Sequence, residues 1–176
     1  SGMPRLNKAS LVGVILTKLL TLGFVSRKPS FFFDEGQSPD QVDWVAQREQ
    51  IDLAKAAGAK HMVLISSMGG TKPDHFLNTQ MENIVLWKRK AECYLMASGL
   101  PYTIIHPGGL LPHFGSRTPA PGGRRQLLAA VDDALMDDEQ KISQVPREDV
   151  AEVCVHCLLC PEDAKGRAFD LGSSRE

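Results

Sequence analysis

Short continuous apolar runs alternate along the chain with longer, more polar segments. The runs at 11–17, 61–67 and 102–106 are predicted as strands, the first buried and the second central and buried on both faces. The segments at 38–57 and 80–98 are predicted as helices that end at Gly58 and Gly99. Strands that alternate with helices are typical of a parallel sheet with crossover helices.

The first predicted helix has clear start signals and an apolar face. Ser38 can cap its N-terminus, Pro39 suits its first turn and Gln41 occupies the capping-box position. Apolar residues at helical spacing are typical of a helix that packs on a core. The face is predicted to consist of Val42, Val45, Ala46, Leu53 and Ala57.

Five further segments complete the predicted elements. Residues 30–36, with three consecutive phenylalanines, are predicted as a loop, and 112–125, rich in Pro, Gly and Arg, as a mobile loop. Residues 141–145 are predicted as a short strand and 168–171 as the last strand. Pro146 is predicted to start a helix that carries Cys154 and Cys157 and ends near Cys160.

These cysteines have the spacing C-x-x-C-x-x-C-Pro, which resembles an iron–sulfur ligand run. Helical periodicity favours thiols on one stripe with Val150 and Leu158, because residues three or four apart share a helix face. The segment also lacks the glycine and irregular backbone of a cluster loop. We therefore expect buried core thiols, no metal site and a reducing compartment.

Length and composition predict one globular domain. The chain has 176 residues, 43% hydrophobic and 23% charged, which suits one core. Its net charge is −1 and its pI about 6.5, so no electrostatic case for nucleic-acid binding exists. Residues 1–10 are expected to be a tail, with Ser1 and Gly2 left by cloning before Met3. The domain is expected to span 11–173, with 174–176 as a second tail.

Basic residues without acidic neighbours surround the apolar run 11–25. The run is too short to span a bilayer and Lys18 interrupts it, so no membrane span is expected. It also lacks the small-x-small cleavage site of a signal peptide. An organelle-targeting segment and a buried strand both fit this pattern, and the strand is preferred.

A series of segments in fixed order carries a resemblance to a known family. They are IDLAKAAG at 51–58, VLISSMGG at 63–70, WKRKAE at 87–92, SGLPYTII at 98–105, PGGL at 107–110 and PREDVA at 146–151. Together they resemble the NmrA-like, atypical short-chain dehydrogenase/reductases. The resemblance implies an NAD(P)-binding α/β protein. Its sheet would be an incomplete doubly wound, Rossmann-like parallel sheet with flanking helices, lacking the N-terminal glycine-loop βαβ half.

The resemblance also implies site residues. Lys88 matches the lysine that bonds the nicotinamide ribose, and Ser66 and Ser67 match serines that face the nicotinamide and substrate. These three are the catalytic candidates, and Ser66 and Lys88 are also cofactor-binding candidates. Thr17 matches the end of a strand that lines the adenosine side of the cofactor. The turn along the nicotinamide ring is matched by Pro107, Gly108, Gly109 and Leu110.

Each of these residues also has an ordinary structural interpretation. Lys88 fits a solvated helix face, the two serines fit backbone capping at a strand end, and the glycines fit an ordinary turn. His106 is interpreted as a strand-end histidine, because one histidine without identified partners is weak evidence for catalysis.

The chain departs from the family most clearly in its cofactor loop. Family members begin with a G-x-x-G-x-x-G turn and a helix N-terminus that hold the pyrophosphate, and this spacing does not occur here. Three lost hydrogen bonds to charged groups remove about 4–9 kcal/mol, or about three to six powers of ten in affinity. NADP(H), the cofactor that the family implies, is therefore expected to bind this chain weakly or not at all.

Two single residues also depart from the family. Classical relatives carry a proton-donating tyrosine four residues before the lysine, and this chain has Ile84 there, which counts against catalysis. Many relatives carry an asparagine where this chain has Glu49. If Glu49 is buried, its carboxylate needs a partner; if exposed, it has no special meaning.

The absent first strand also predicts a partner. In the full fold that strand lies beside the fourth, so the run from Val12 to Thr17 is expected to present an unpaired apolar edge. We expect the chain to pair through this edge with another copy or with a larger protein.

Three functions stay open at this point. The chain can be an NAD(P)H-dependent oxidoreductase that acts near Ser66, Ser67 and Lys88. It can be a non-catalytic scaffold or redox-sensing subunit that has lost cofactor affinity. It can also be an incomplete product of a full-length reductase-like gene. The expected location is the cytoplasm or the plastid stroma.

Overall fold

The fold is described for residues 4–20, 31–111, 125–136 and 144–175 of a computed structural model. A π-helical segment (Asp40–Ala46) precedes the helix Gln47–Ala56, and a 3₁₀ turn (Ala134–Met136) follows the strand Arg125–Ala130. The elements in these ranges are β1 (Arg5–Leu6), α1 (Lys8–Leu20), β2 (Phe31–Phe32), α2 (Gln47–Ala56), β3 (Met62–Ile65), α3 (Phe76–Gln80), α4 (Ile84–Ala97), β4 (Tyr102–Pro107), β5 (Gly109–Leu111), β6 (Arg125–Ala130), β7 (Gln144–Pro146), α5 (Arg147–Leu159), α6 (Pro161–Ala164) and β8 (Arg167–Arg175).

A six-stranded, mostly parallel sheet forms the centre of the described fold. Its strand order is β3-β4-β8-β7-β5, and β6 pairs with β8 outside this path. β4 pairs in parallel with β3 and β8, and β5 pairs in parallel with β7. β6 and β7 meet β8 in antiparallel orientation. The predicted α/β class, with a mostly parallel sheet and flanking helices, is confirmed.

Helices cover both faces of the sheet. Successive strand residues point to opposite sides, so neighbouring residues of one strand pack against different helices. On one face, Leu64 and Ile104 pack with Ile51 of α2 and Leu95 of α4. On the other face, Ile105 packs with residues of β7, α5 and β8, namely Val145, Val150, Cys157 and Leu171. This double cover fixes the ends of β3 and β4 relative to α4, the helix that carries Lys88.

The apolar run at 11–17 is helical, so its prediction as a buried strand with Thr17 at its end is wrong. The run lies within α1, where the Thr17 hydroxyl donates to the Gly13 carbonyl at 2.8 Å. Val12 and Ile15 are more than half exposed. A strand without a neighbouring strand leaves its backbone polar groups unpaired, whereas a helix pairs them internally.

Among the described residues, β3 lies at one edge of the sheet, whereas the run from Val12 to Thr17 forms no sheet edge. Among the described residues, β3 pairs with β4 alone, and Ile65 is 47% exposed. The prediction of a central strand at 61–67, buried on both faces, is therefore wrong for β3, although Leu64 is buried. An edge strand presents a row of free backbone N–H and C=O groups to a partner.

The two long helices also differ from their predictions. The helix predicted at 80–98 begins only at Ile84, as α4, because Glu82 and Asn83 adopt positive φ angles of 52° and 59° that a right-handed helix does not accept. In the helical region before Gly58, Asp43 and Ile51 are buried, whereas Leu53 of the predicted apolar face is 69% exposed. The π-helical turns change the residue spacing, so a face predicted at α-helical spacing was misplaced.

The cysteines do not all share one environment. Cys157 is buried and Cys154 partly buried on α5, but Cys93 and Cys160 are exposed. The prediction of buried thiols is wrong for Cys160, because α5 ends at Leu159 and Cys160 leaves the helical stripe. Within the described ranges, no group of three or more His, Cys, Asp or Glu side chains is arranged to hold a metal ion.

The predicted loops and tails are partly replaced by strands. Phe31–Phe32 pairs antiparallel with Arg5–Leu6 instead of lying in a loop. Arg125 begins β6, and β8 continues through Arg175. Residues 112–124 of the predicted mobile loop and 141–143 of the predicted short strand lie outside the described residues. In the part of the chain that is described, no helix has the length and apolar character to cross a membrane.

Candidate functional site

Polar side chains collect where β3 and β4 end, at the carboxyl edge of the parallel strands. Ser66 and Ser67 follow β3 directly, and His106 is the second-to-last residue of β4. The Ser66 amide donates to the Ile105 carbonyl at 2.8 Å, which continues the β3–β4 pairing past β3. Ligands of open α/β sheets bind outside this edge, so the predicted serines lie where a ligand is expected.

Lys88 and Ser66 line one shallow depression together with Asp43. The Lys88 ammonium lies 2.7 Å from an Asp43 carboxylate oxygen, and the side chains of Lys88 and Asp43 are 25% and 6% exposed. The interpretation of Lys88 as part of a solvated helix face therefore does not hold. A lysine ammonium has three donors, and its bond to Asp43 leaves donors available for a ligand.

The glycine turn and Ser67 line a second cavity, of about 240 Å³, beside this depression. Its lining includes Pro107, Gly108 and Gly109, and the Gly108 amide donates to a β8 carbonyl, that of Leu171, at 3.0 Å. The structure thus gathers the two serines, Lys88 and this turn at one edge of the sheet. Leu110 is 41% exposed in β5, and Thr17 contacts its own helix α1.

Behind Ser66 lies a buried cluster of charged groups that the sequence analysis missed. The Ser66 hydroxyl donates to Oε1 of Glu92, whose side chain is 2% exposed. The other oxygen, Oε2, accepts from Arg89 at 2.6 Å and lies 3.2 Å from His106 Nε2. His106 Nδ1 lies 3.3 Å from Oδ1 of the buried Asp170. A chain of contacts therefore runs from Ser66 through Glu92 and His106 to Asp170.

The interpretation of His106 as an isolated strand-end histidine is wrong, because two buried carboxylates flank it. A signal for Glu92 was present in the sequence. Glu92 follows Val85 by seven residues and precedes Leu95 by three, so helical spacing places it on the buried stripe of α4. Asp170 gave no such signal, since only the pairing of β4 with β8 brings it beside His106.

Burial and charge set the protonation states of this cluster. Burial raises the pKa of Glu92, but its contacts with His106, Ser66 and Arg89 outweigh burial, and the pKa is lowered overall. Burial lowers the pKa of His106, yet the hydrogen bond and charge of Glu92, helped by Asp170, raise it above its ordinary value. The contacts therefore favour an ionised Glu92 that faces a protonated His106.

A further buried carboxylate, Asp133, fixes the loop after the serines. Its Oδ1 accepts from the Gly69 amide at 2.6 Å, and its Oδ2 accepts from the Thr71 amide at 2.8 Å and the Thr71 hydroxyl at 2.6 Å. Burial alone would raise the pKa of Asp133, but these hydrogen bonds lower it. Gly69 has a φ of +100°, which favours glycine. The loop beside Ser67 is thereby held in one conformation.

The two residues that depart from the family have different consequences. Glu49 is exposed and needs no buried partner. Ile84 is the first residue of α4 and supplies no hydroxyl near Lys88. Ser66 carries a hydroxyl in the depression that it shares with Lys88.

A mostly parallel sheet with helices on both faces and a polar site at its carboxyl edge defines a Rossmann-type, nucleotide-binding domain. The chain belongs to the NAD(P)H-binding family, whose pattern matches residues 25–161. The resemblance to the NmrA-like, atypical short-chain dehydrogenase/reductases is confirmed.

Two plant proteins are similar in sequence over most of the chain. Sanguinarine reductase from Eschscholzia californica is 50% identical over 159 residues, which cover 90% of this chain and 55% of that protein. An uncharacterized chloroplastic protein from Arabidopsis thaliana is 51% identical over 150 residues, 85% of this chain and 43% of that protein. The chain spans about half the length of these relatives.

Solved structures with low sequence identity share the fold. An oxidoreductase from Lactococcus lactis has a TM-score of 0.58 at 19% identity, over 81% of this chain and 59% of that one. A short-chain dehydrogenase/reductase from Veillonella parvula, in complex with NADP, has a TM-score of 0.51 at 16% identity, over 77% and 58%. At these identities the likeness establishes the Rossmann-type fold.

Proposed function

We propose that this chain forms the nicotinamide and substrate side of an NAD(P)H-dependent reductase. The observation that carries the proposal is the depression shared by Ser66 and Lys88, in which buried Asp43 holds the lysine. Membership of an NAD(P)H-binding family and the 50% identity to a plant reductase support it. The chloroplastic relative from Arabidopsis thaliana supports a plastid location, and we propose the stroma as the compartment.

The residues present fit the nicotinamide end of the cofactor. Gly108 and Gly109 have no side chains, so backbone can approach a flat ring closely beside the 240 Å³ cavity. Lys88 would donate to the ribose hydroxyls, and NADP is the form we favour. When bound, the reduced cofactor supplies a hydride. Ser66 and Ser67 would orient the substrate, and the Lys88 charge would favour electron density on the substrate oxygen.

The sequence lacks the motif that usually holds the phosphates of the cofactor. The 176 residues contain no G-x-x-G-x-x-G turn, which in Rossmann-type domains supplies the amides that hold the pyrophosphate. We therefore propose that the chain binds the nicotinamide end of NADP(H) at the carboxyl edge of the sheet, but with low affinity. Activity would then require millimolar cofactor.

Turnover at millimolar NADPH tests the reductase function. With para-nitrobenzaldehyde as the probe substrate, the chain is expected to oxidise NADPH, followed by the loss of its absorbance. Lys88→Met is expected to lower the rate about 10–100-fold, because one lost hydrogen bond to a charged group costs about 1.5–3 kcal/mol.

The matched control is Lys90→Met, which removes a cation from the same helix. Lys90 lies over the rings of Trp44 and Trp87, away from the depression, so its replacement is expected to leave the rate unchanged. The proposal is contradicted if the wild-type chain reduces neither para-nitrobenzaldehyde nor an iminium cation. It is also contradicted if the Lys88→Met variant is as fast as the wild type.

A second candidate function is that of a non-catalytic subunit that pairs through an exposed surface. Two observations favour it: β3 is an edge strand among the described residues, and α1 exposes the apolar side chains of Val12, Ile15, Leu16 and Leu20. Exposed apolar side chains in one helix and a free strand edge both favour association.

We propose that a second copy of this chain covers the exposed side chains of α1 and the free edge of β3. Light scattering at micromolar concentration is expected to give a dimer mass, and a monodisperse monomer would contradict this pairing.

A further inference from the structure

Burying the Glu92 carboxylate in the core costs free energy, and apolar packing does not explain why a charged residue occupies this position. The other buried positions of α4 hold Val85, Ala91 and Leu95, whereas Glu92 brings a charge to a site where its side chain is 2% exposed. Removing a carboxylate from water is unfavourable unless several partners replace the water. Here the partners are Ser66 on one oxygen and Arg89 and His106 on the other.

We propose that Glu92 and His106 form a proton relay that serves Ser66 in the reduction of a carbonyl group. The inference rests on the proposed reductase function and assigns roles to residues that do not touch the substrate themselves. Ser66 is the group in contact with the substrate, while Glu92 and His106 act through it as positioning residues.

The contacts give the relay two ends. At the inner end, Ser66 lines the depression that it shares with Lys88. At the outer end, His106 and Glu92 line a separate polar depression with Arg89 and Asp133. A proton can therefore enter from solvent on one side of the β3–β4 edge and be delivered on the other side, with no contact in the described chain of groups longer than 3.3 Å.

The proposed step conserves atoms and charge. With the cofactor bound, the carbonyl carbon of the substrate would gain the hydride that the cofactor supplies, and the C=O π electrons would become a lone pair on the oxygen. That oxygen takes the proton of the Ser66 hydroxyl. His106 would then pass its proton to Oε2 of Glu92, and the carboxyl group, whose Oε1 contacts Ser66, would turn to present that proton to the Ser66 oxygen. Glu92 is ionised again after this transfer, and the neutral His106 regains a proton from solvent. In the reverse direction, Ser66 takes the proton of an alcohol and passes its own to Glu92, the direction of the observed hydrogen bond.

The surroundings keep a proton available at the relay. Among the described residues, the charged groups around His106 are Glu92 and Arg89 from α4, Asp170 from β8, and Asp132 and Asp133 from the turn after β6. Glu92 and Asp170 raise the pKa of His106 against the effect of burial. The rate of carbonyl reduction is therefore expected to fall as the pH rises through the raised pKa of His106.

Two probes with different proton demand separate the relay from the reductase function. Para-nitrobenzaldehyde needs a hydride and a proton, whereas the N-methylacridinium cation needs only a hydride to become neutral. Glu92→Gln is expected to lower aldehyde reduction at least about 100-fold, the lower range for lost acid–base catalysis, and to leave acridinium reduction within a factor of about three. Ser66→Ala is expected to lower aldehyde reduction by at least the same factor, because it removes the hydroxyl that gives the proton to the substrate oxygen.

The controls address folding and charge. Gln is nearly the same size as Glu, and Glu152→Gln removes the same charge from an exposed pair, since Glu152 is 73% exposed and 3.9 Å from His156. Independently of activity, NMR titration of the histidine rings is expected to show that Glu92→Gln lowers the pKa of His106 while Glu152→Gln does not.

Each outcome decides between the two proposals. A wild-type chain that reduces neither probe overturns the reductase function and the relay with it. A wild-type chain that reduces both probes, with Glu92→Gln slowing them equally or not at all, overturns the relay and leaves the reductase function standing. An unchanged His106 pKa in Glu92→Gln overturns the relay whatever the activity.

Discussion

Replacing Glu92 by alanine is expected to lower the free energy of unfolding by about 3–5 kcal/mol, because removal of one partner of a buried ion pair leaves the other uncompensated. His106 would lose its main counter-charge, and the Ser66 hydroxyl would lose its acceptor. A domain of this size has a total of about 5–15 kcal/mol, so the loss is a large share. Urea denaturation followed by circular dichroism measures it.

The pH range in which this loss appears follows from the two pKa shifts. The His106 contribution is fully present below its ordinary pKa and is lost as the pH rises through its raised pKa. The Glu92 contribution is present above its ordinary pKa and is lost as the pH falls through its lowered pKa. The difference between wild type and Glu92→Ala is therefore expected to be largest between these two limits.

The control for this prediction is Glu152→Ala on the exposed face of α5. Its expected effect is within about 0.5 kcal/mol, as for other surface substitutions. A Glu92→Ala variant that loses less than about 1 kcal/mol, a typical surface-pair value, would mean that the buried contacts contribute little.

NADPH is expected to bind the 176-residue chain with a Kd in the millimolar range or weaker. The physical reason is the absent phosphate loop, since three hydrogen bonds to charged groups contribute about 4–9 kcal/mol together, and this corresponds to about three to six powers of ten in Kd. Calorimetric titration measures the affinity, with NADP⁺ as a comparison ligand. A Kd tighter than about 10 μM, or about −7 kcal/mol, would show that other residues hold the phosphates.

The sequence was informative wherever local spacing decides the structure. The serines after β3 and the glycine turn after β4 were predicted, because strand ends follow from short-range patterns. The place of Lys88 in the site was implied by the family resemblance, since the local pattern alone also fitted a solvated helix face. The start of α5 after Pro146 was predicted for the same reason. These elements are enough to place a candidate site at the carboxyl edge of the sheet.

Features that depend on distant neighbours were not predicted. The run at 11–17 has the composition of a buried strand, yet in the described structure no strand lies beside it, and its backbone pairs within a helix instead. The partners of His106 come from α4 and β8, which are 14 and 64 residues away in sequence. Asp133 fixes Gly69 over a separation of 64 residues. Such contacts depend on strand order, which spacing alone does not give.

We expect the 240 Å³ cavity lined by Ser67, Gly108 and Gly109 to hold the nicotinamide ring of the cofactor, with Lys88 reaching the ribose from the neighbouring depression. An NMR titration with nicotinamide mononucleotide, which lacks the adenosine part, tests it most directly because weak binding is sufficient. The amide signals of Ser66, Ser67, Gly108 and Gly109 are expected to shift together, and Lys88→Met is expected to abolish the shifts. Shifts confined to other regions, or none at millimolar ligand, would contradict the claim.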